Sequence, residues 1–140
     1  MKLYINSKQL TVNLVNGVNN YQIHRIHIEQ LILSTLLNAH LSHPMDELEL
    51  IQYKVPFKLF KANKTHKLVA KAIYNLREEN KNIDDMQVIS YITKHTTLNE
   101  QEFLEISSYT WTTFDMMIKW VKQLKEMEEE QNKINILKGL

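Results

Sequence analysis

Residues 60–92, FKANKTHKLVAKAIYNLREENKNIDDMQVISYI, decide how the chain is read. From Asn63, whose side-chain oxygen suits a helix N-cap, apolar residues return at Leu68, Val69, Ala72, Ile73 and Leu76. That is the three-to-four spacing of one buried helix face. The uniformly polar run from Arg77 to Asn82 ends this helix. Asp84 then caps a second helix whose apolar side is Val88, Ile89 and Ile92. Two amphipathic helices joined by a polar corner form a packing unit, and nothing in the stretch is reactive.

Working outward, the N-terminal side splits in two. In residues 1–20, Leu10, Val12 and Leu14 alternate with Thr11 and Asn13, so a flexible leader or a short β-hairpin is expected there. From Tyr21 to about His40, apolar residues from Ile23 to Leu37 cover more than half of a helix circumference. So greasy a helix belongs in the middle of a bundle. Pro44 breaks it, and a short helix over Met45–Tyr53 follows, with Phe57 and Phe60 as anchors in the connector.

On the C-terminal side, Asn99 caps a helix on which Phe103, Leu104 and Ile106 are expected to point inward. Glu100 and Glu102 sit favourably in its first turn. A last helix starts at Thr112 or Thr113, with Asp115 near its positive end and Phe114, Met117, Ile118, Val121 and Leu124 as its core stripe. The acidic run Glu128–Glu130 reads as solvated, and Ile134, Ile136, Leu137 and Leu140 restore apolar character beyond it. The expected fold is therefore all-α, a five- to six-helix bundle over residues 21–127. Residues 128–140 form a protruding helix end or the start of a helical hairpin.

The composition agrees and excludes several function classes. At 140 residues the chain can bury one core, and two Gly and two Pro are too few for an all-β sandwich. A net charge of +1 creates no global field toward nucleic acid. With Gly17 and Gly139 the only glycines, neither a phosphate-binding loop nor a dinucleotide fingerprint can be built, and no nucleotide cofactor is expected. No Cys is present, which suits a reducing compartment, and no secretory signal or membrane-length apolar run appears, so the expected location is the cytoplasm.

Six histidines raise the question of a metal. His24 and His27, and His40 and His43, are each spaced i,i+3, yet the pairs lie about 24 Å apart along a continuous helix and cannot share an ion. Neither has the adjacent Glu of a zinc-protease motif, so no metal site is expected. The chain reads as non-catalytic.

Two surfaces remain. Met116, Trp120 and Met127 fall off the core stripe of the last helix, a second apolar strip that is either covered by the N-terminal leader or, with Ile134 and Leu137, a candidate protein-binding face. Lys64, Lys67 and Lys71 share one face of the helix that follows Asn63, beside Lys58 and Lys61. They are a candidate contact for a phosphate backbone, against the plain alternative of a solvated helix face.

Three groups of residues resemble a known family. Glu29-Gln30-Leu31-Ile32-Leu33-Ser34-Thr35-Leu36-Leu37 looks like the first-helix motif of the N-terminal domain of DnaB-family bacterial replicative helicases. Phe60 with His66-Lys67-Leu68-Val69-Ala70-Lys71-Ala72-Ile73-Tyr74-Asn75-Leu76, and the corner Asn80-Lys81-Asn82-Ile83-Asp84, resemble that domain's next two motifs. The likeness covers about Tyr21 to Lys125. Asn80 stands where the family has Gly, the spacing from Phe60 to His66 is one residue longer, and the family's glycine pair before the fifth helix is absent. The helicase-binding domain at the C-terminus of bacterial primase has a similar fold.

The resemblance implies a DNA-replication module that works by protein–protein contact, forming a helicase collar and receiving primase. The alternatives are the primase domain that docks on that collar, or a standalone helicase loader or inhibitor of a mobile element. It further implies weak homodimerisation or membership of a larger ring, indirect contact with nucleic acid, and a pairing arm beginning at Ile134–Leu140.

Overall fold

The computed structural model describes residues 23–38, 55–109 and 112–139. Five α-helices make up the described architecture: α1 over 23–37, α2 (Lys64–Glu78), α3 (Asp85–Thr93), α4 (Glu100–Ser107) and α5 (Phe114–Lys138). A single 3₁₀ turn, Phe57–Leu59, precedes α2. Among the described residues the fold is an all-α bundle of five helices with no strand. The leader over 1–20 and the short helix expected over 45–53 lie outside the described residues.

The starts of α2, α3, α4 and α5 are each fixed by a local device. Asn63 Oδ1 accepts from the His66 amide at 2.8 Å, Asp84 Oδ1 from Gln87 at 2.9 Å, and Asn99 Oδ1 from Glu102 at 3.0 Å. Thr113 Oγ1 accepts from Met116 at 3.4 Å, a weaker cap. A good cap of this kind contributes about 1 kcal/mol by satisfying an amide that the helix itself cannot. The corner between α2 and α3 is equally local. Lys81 N donates to Leu76 O at 2.9 Å and Asn80 N to Arg77 O at 3.0 Å, the two bonds of a Schellman ending. Asn80 stands in the left-handed region with φ 56°, a conformation that Asn tolerates better than most residues.

The core draws on every helix. Ile28, Ile32, Leu33, Leu36 and Leu37 of α1 meet Val69, Ala72, Ile73 and Leu76 of α2, Val88 and Ile92 of α3, and Phe103 and Ile106 of α4. Met117, Val121, Leu124 and Met127 of α5 complete it, with Phe60 wedged in from the connector. α1 is the central helix: residues 28–37 are buried at all but Leu31, which is half-buried.

Polar side chains tie the layers together. Thr65 Oγ1 donates to Glu102 Oε1 at 2.7 Å, joining α2 to α4, and Asn75 Nδ2 donates to the Tyr91 hydroxyl at 2.7 Å, joining α2 to α3. Ser34 Oγ donates to Tyr109 O, and Thr112 N to Thr35 Oγ1, holding the link between α4 and α5 on α1.

Two expected core positions are exposed, and Ile118, expected in the stripe of α5, is only half-buried. Leu104 is 62% exposed, because an eight-residue helix buries one stripe and Phe103 and Ile106 already occupy it; Leu104 is turned about 100° away. Ile23, at the start of the described part of α1, is also exposed.

Candidate functional site

Helix α5 carries the candidate protein-binding strip, and the structure divides it. Met116 is partly exposed, while Trp120 is half-buried and packed on the core. Met127 is not a surface residue at all. It belongs to the core beside Leu124, which corrects its assignment to the exposed strip. From Leu124 the next inward positions are three and four residues on, and the bundle uses both, Met127 and Glu128. Ile134, Ile136 and Leu137 are exposed by 45%, 66% and 69%, respectively. Ile134 and Leu137 share a face at i,i+3, whereas Ile136 lies on the opposite side. Residues 129–138 continue the helix for about 15 Å beyond Glu128.

Glu128 marks where the helix leaves the bundle. It is not the solvated residue that its acidic run suggests: its side chain is 17% exposed and held by two cations. Arg25 Nη2 donates to Glu128 Oε2 at 3.1 Å, and Lys61 Nζ donates to Oε1. The Lys61 hydrogen bond, with a further contribution from Arg25, holds the Glu128 carboxyl below the ordinary glutamate range, against the opposing effect of burial.

Behind this pair lies a buried polar node. The Glu29 carboxylate, wholly excluded from solvent, accepts from Arg25 Nε at 3.0 Å, from the backbone amides of Lys61 and Ala62 at 3.2 and 3.1 Å, and from His66 Nδ1 at 2.9 Å. Because a carboxylate only accepts, Nδ1 is the protonated nitrogen of His66. Arg25 Nη2 also donates to Leu59 O at 2.9 Å. The node thus joins α1, the connector before α2, the first turn of α2 and the middle of α5. Arg25, Glu29 and His66 are all buried and bond to one another and to nearby backbone, so none of the three faces an open cleft. The arrangement orients helices; it does not present chemistry.

His66 is the structural residue at a helix start that its place in the sequence suggests, and the structure adds its acceptor. The Glu29–Arg25 node is the feature that sequence reasoning missed. One signal was available: Arg25 and Glu29 are a charged i,i+4 pair inside the apolar run of α1, where a solvated pair has no place.

Of the other histidines in the described residues, His24 and His27 serve as polar ties, and His95 sets its ring against Tyr91 with centroids 5.3 Å apart. Gln123 Nε2 donates to His24 Nε2 at 3.0 Å, and His27 Nδ1 lies 2.8 Å from the Tyr109 hydroxyl. His40 and His43 lie outside the described residues. Among the described residues, no group of three His, Cys, Asp or Glu could hold a metal ion. No described helix is long and apolar enough to cross a membrane.

The lysine row lies where its spacing predicts. Lys64, Lys67 and Lys71 are all exposed along α2, and Lys58 is exposed in the turn before it. Lys61 differs, being committed to Glu128.

Comparison with protein-family models, with curated proteins and with solved structures gives no match for the chain.

Proposed function

We propose that this chain is a non-catalytic protein-interaction domain of the DNA-replication machinery, similar to the collar domain of DnaB-family helicases. In this role it mediates helicase self-assembly and contact between helicase and primase. One observation carries the reading. The residues behind the resemblance include, besides core positions such as Ile32, Val69 and Ile73, those at the joints of the bundle. Glu29 and His66 meet in the buried node, Phe60 is wedged beside it, Asn80 makes the left-handed corner, and Asp84 caps α3. Motifs that match in order and also do coordinated structural work are harder to reach by chance than apolar residues at helical spacing.

The working surface is then the far end of α5. Ile134 and Leu137 on one face, with Ile136 on the other, give apolar side chains to helices approaching from two sides. A saturated, closed bundle with exposed apolar residues at one projecting end suits docking better than turnover.

A capture assay tests this. The purified chain is immobilised and offered a bacterial replicative helicase and a primase separately. Retention of primase supports the collar reading. Retention of helicase alone reassigns the chain to the helicase-binding side, as in the primase domain or a loader, and retention of neither removes the replication role.

A further inference from the structure

A second surface lies on α2, remote in sequence from the α5 end and resting on a different observation. Lys64, Lys67 and Lys71 recur at i, i+3 and i+7, so they form one row about 10 Å long on the solvent side of the helix. Lys58 in the preceding turn adds a fourth exposed cation. Among the described residues none of these four is ion-paired, in contrast to Lys61 on Glu128 and Lys81 on Glu79. Glu102 approaches the same end of α2, where it accepts from the Thr65 hydroxyl.

The row also runs against local helix electrostatics. The amino end of a helix carries partial positive charge and favours carboxylates. α3, α4 and α5 each have an acid in the first turn (Asp85, Glu100 with Glu102, and Asp115), whereas α2 has none and starts on Lys64. The carboxylate that faces the start of α2 is the buried Glu29, on the Lys61 and Ala62 amides and His66, so the exposed lysines make a local positive patch on the solvent side of a chain whose net charge is only +1.

We propose that the exposed row Lys64–Lys67–Lys71, extended by Lys58, binds the phosphodiester backbone of nucleic acid without reading its sequence. Three features select this partner over an acidic protein segment. None of the exposed large apolar residues of the described structure lies on α2, so a partner helix would find no anchor there. Lysine is a point charge on a flexible stem, suited to phosphate neutralisation rather than bidentate recognition. The one aromatic residue of α2, Tyr74, is half-buried with its ring centroid 4.9 Å from that of Phe57, so it is not a platform for bases. The length of the row corresponds to about three nucleotides at the rise of one DNA strand.

The test is a salt titration of binding by the full chain to fluorescein-labelled single-stranded DNA, double-stranded DNA and single-stranded RNA, read by anisotropy. Neutralising three phosphates gives a slope of log affinity against log salt of about −2 to −3, or roughly a 20- to 40-fold loss between about 50 and about 200 mM salt. The triple variant Lys64→Ala, Lys67→Ala, Lys71→Ala should lose that slope. A control triple on α5, Lys119→Ala, Lys122→Ala, Lys125→Ala, removes equal charge from other exposed positions and should keep it. Binding by any of the three nucleic acids with this pattern supports the proposal and identifies the strand form. It is overturned by affinity without salt dependence at low ionic strength, by a wild-type slope in the α2 variant, by equal loss in the α5 control, or by polyglutamate competing as well as the oligonucleotide.

Discussion

The two parts of α5 share one unbroken helix and face opposite surroundings. Over residues 114–128 the helix drives Met117, Val121, Leu124 and Met127 into the core and pins Glu128 between Arg25 and Lys61. Over 129–138 none of its large apolar residues is buried, and Ile134, Ile136 and Leu137 lie open. Helix propensity does not distinguish the two parts, since both are rich in good helix formers. What distinguishes them is whether the rest of the bundle lies alongside. The same kind of residue therefore means stability on one side of Glu128 and availability for contact on the other. Substitutions on the two sides should separate folding from binding.

The largest effect is expected at the node on which the buried part rests. Glu29→Ala leaves the Arg25 guanidinium, two backbone amides and His66 Nδ1 without their common acceptor in a site closed to water. Removing one partner from such a cluster costs about 3–5 kcal/mol, which is a large part of the stability of a domain this size. Urea unfolding followed by far-UV circular dichroism measures it. A loss below about 1 kcal/mol would mean that the node is not what holds α1 to α5.

Met127→Ala comes next, at about 2–4 kcal/mol for a buried methionine truncated inside a packed core. If Met127 were part of an exposed strip instead, its removal would stay within about 0.5 kcal/mol. The same unfolding experiment distinguishes the two.

How much of this was legible in the sequence follows from the range of each interaction. The caps at Asn63, Asp84, Asn99 and Thr113 could be read because each bonds an amide only three residues ahead. The core stripes of α1 and α2 could be read because helical period alone sets them. The node could not, because Glu29 reaches His66 across 37 positions and Arg25 reaches Glu128 across 103. The local Arg25–Glu29 pair marks that a buried charge is present, but nothing local names its distant partners. Glu128 was hidden by its neighbours, since three successive glutamates look solvated although one of them is four residues beyond Leu124 and faces the bundle. The projecting end of α5 was legible as apolar residues lacking intrachain cover. Helical spacing puts Trp120 on that strip, but it packs on the core, so Trp120→Ala would mix lost packing with lost contact.

Glu128→Gln is expected to have an intermediate effect, about 1–3 kcal/mol, because a charge-assisted bond to each of two cations is weakened while the shape is kept. Acid sharpens this prediction. The folded-state pKa of Glu128 is lowered, so its contribution is complete above the ordinary glutamate value of 4.5 and disappears as pH falls through the lowered value. The stability difference between wild type and variant should be flat near neutral pH and shrink below about pH 4.5. A difference that instead grew on acidification would place the dominant interaction elsewhere.

The smallest effect on stability is expected at the far end, and there the proposed function is most exposed to failure. Ile134→Ala with Leu137→Ala removes two exposed side chains from one face, so unfolding should shift by no more than about 0.5 kcal/mol for each substitution. Capture of helicase or primase should nevertheless drop by roughly tenfold or more, the usual cost of losing an apolar anchor from the centre of a contact. Ile136→Ala, on the opposite side of the helix, tells whether one face is used or two. An unchanged capture with all three substituted would mean that the open end of α5 is an ordinary solvated helix end. The partner surface would then have to be sought on the bundle itself, at Met116 or along α2.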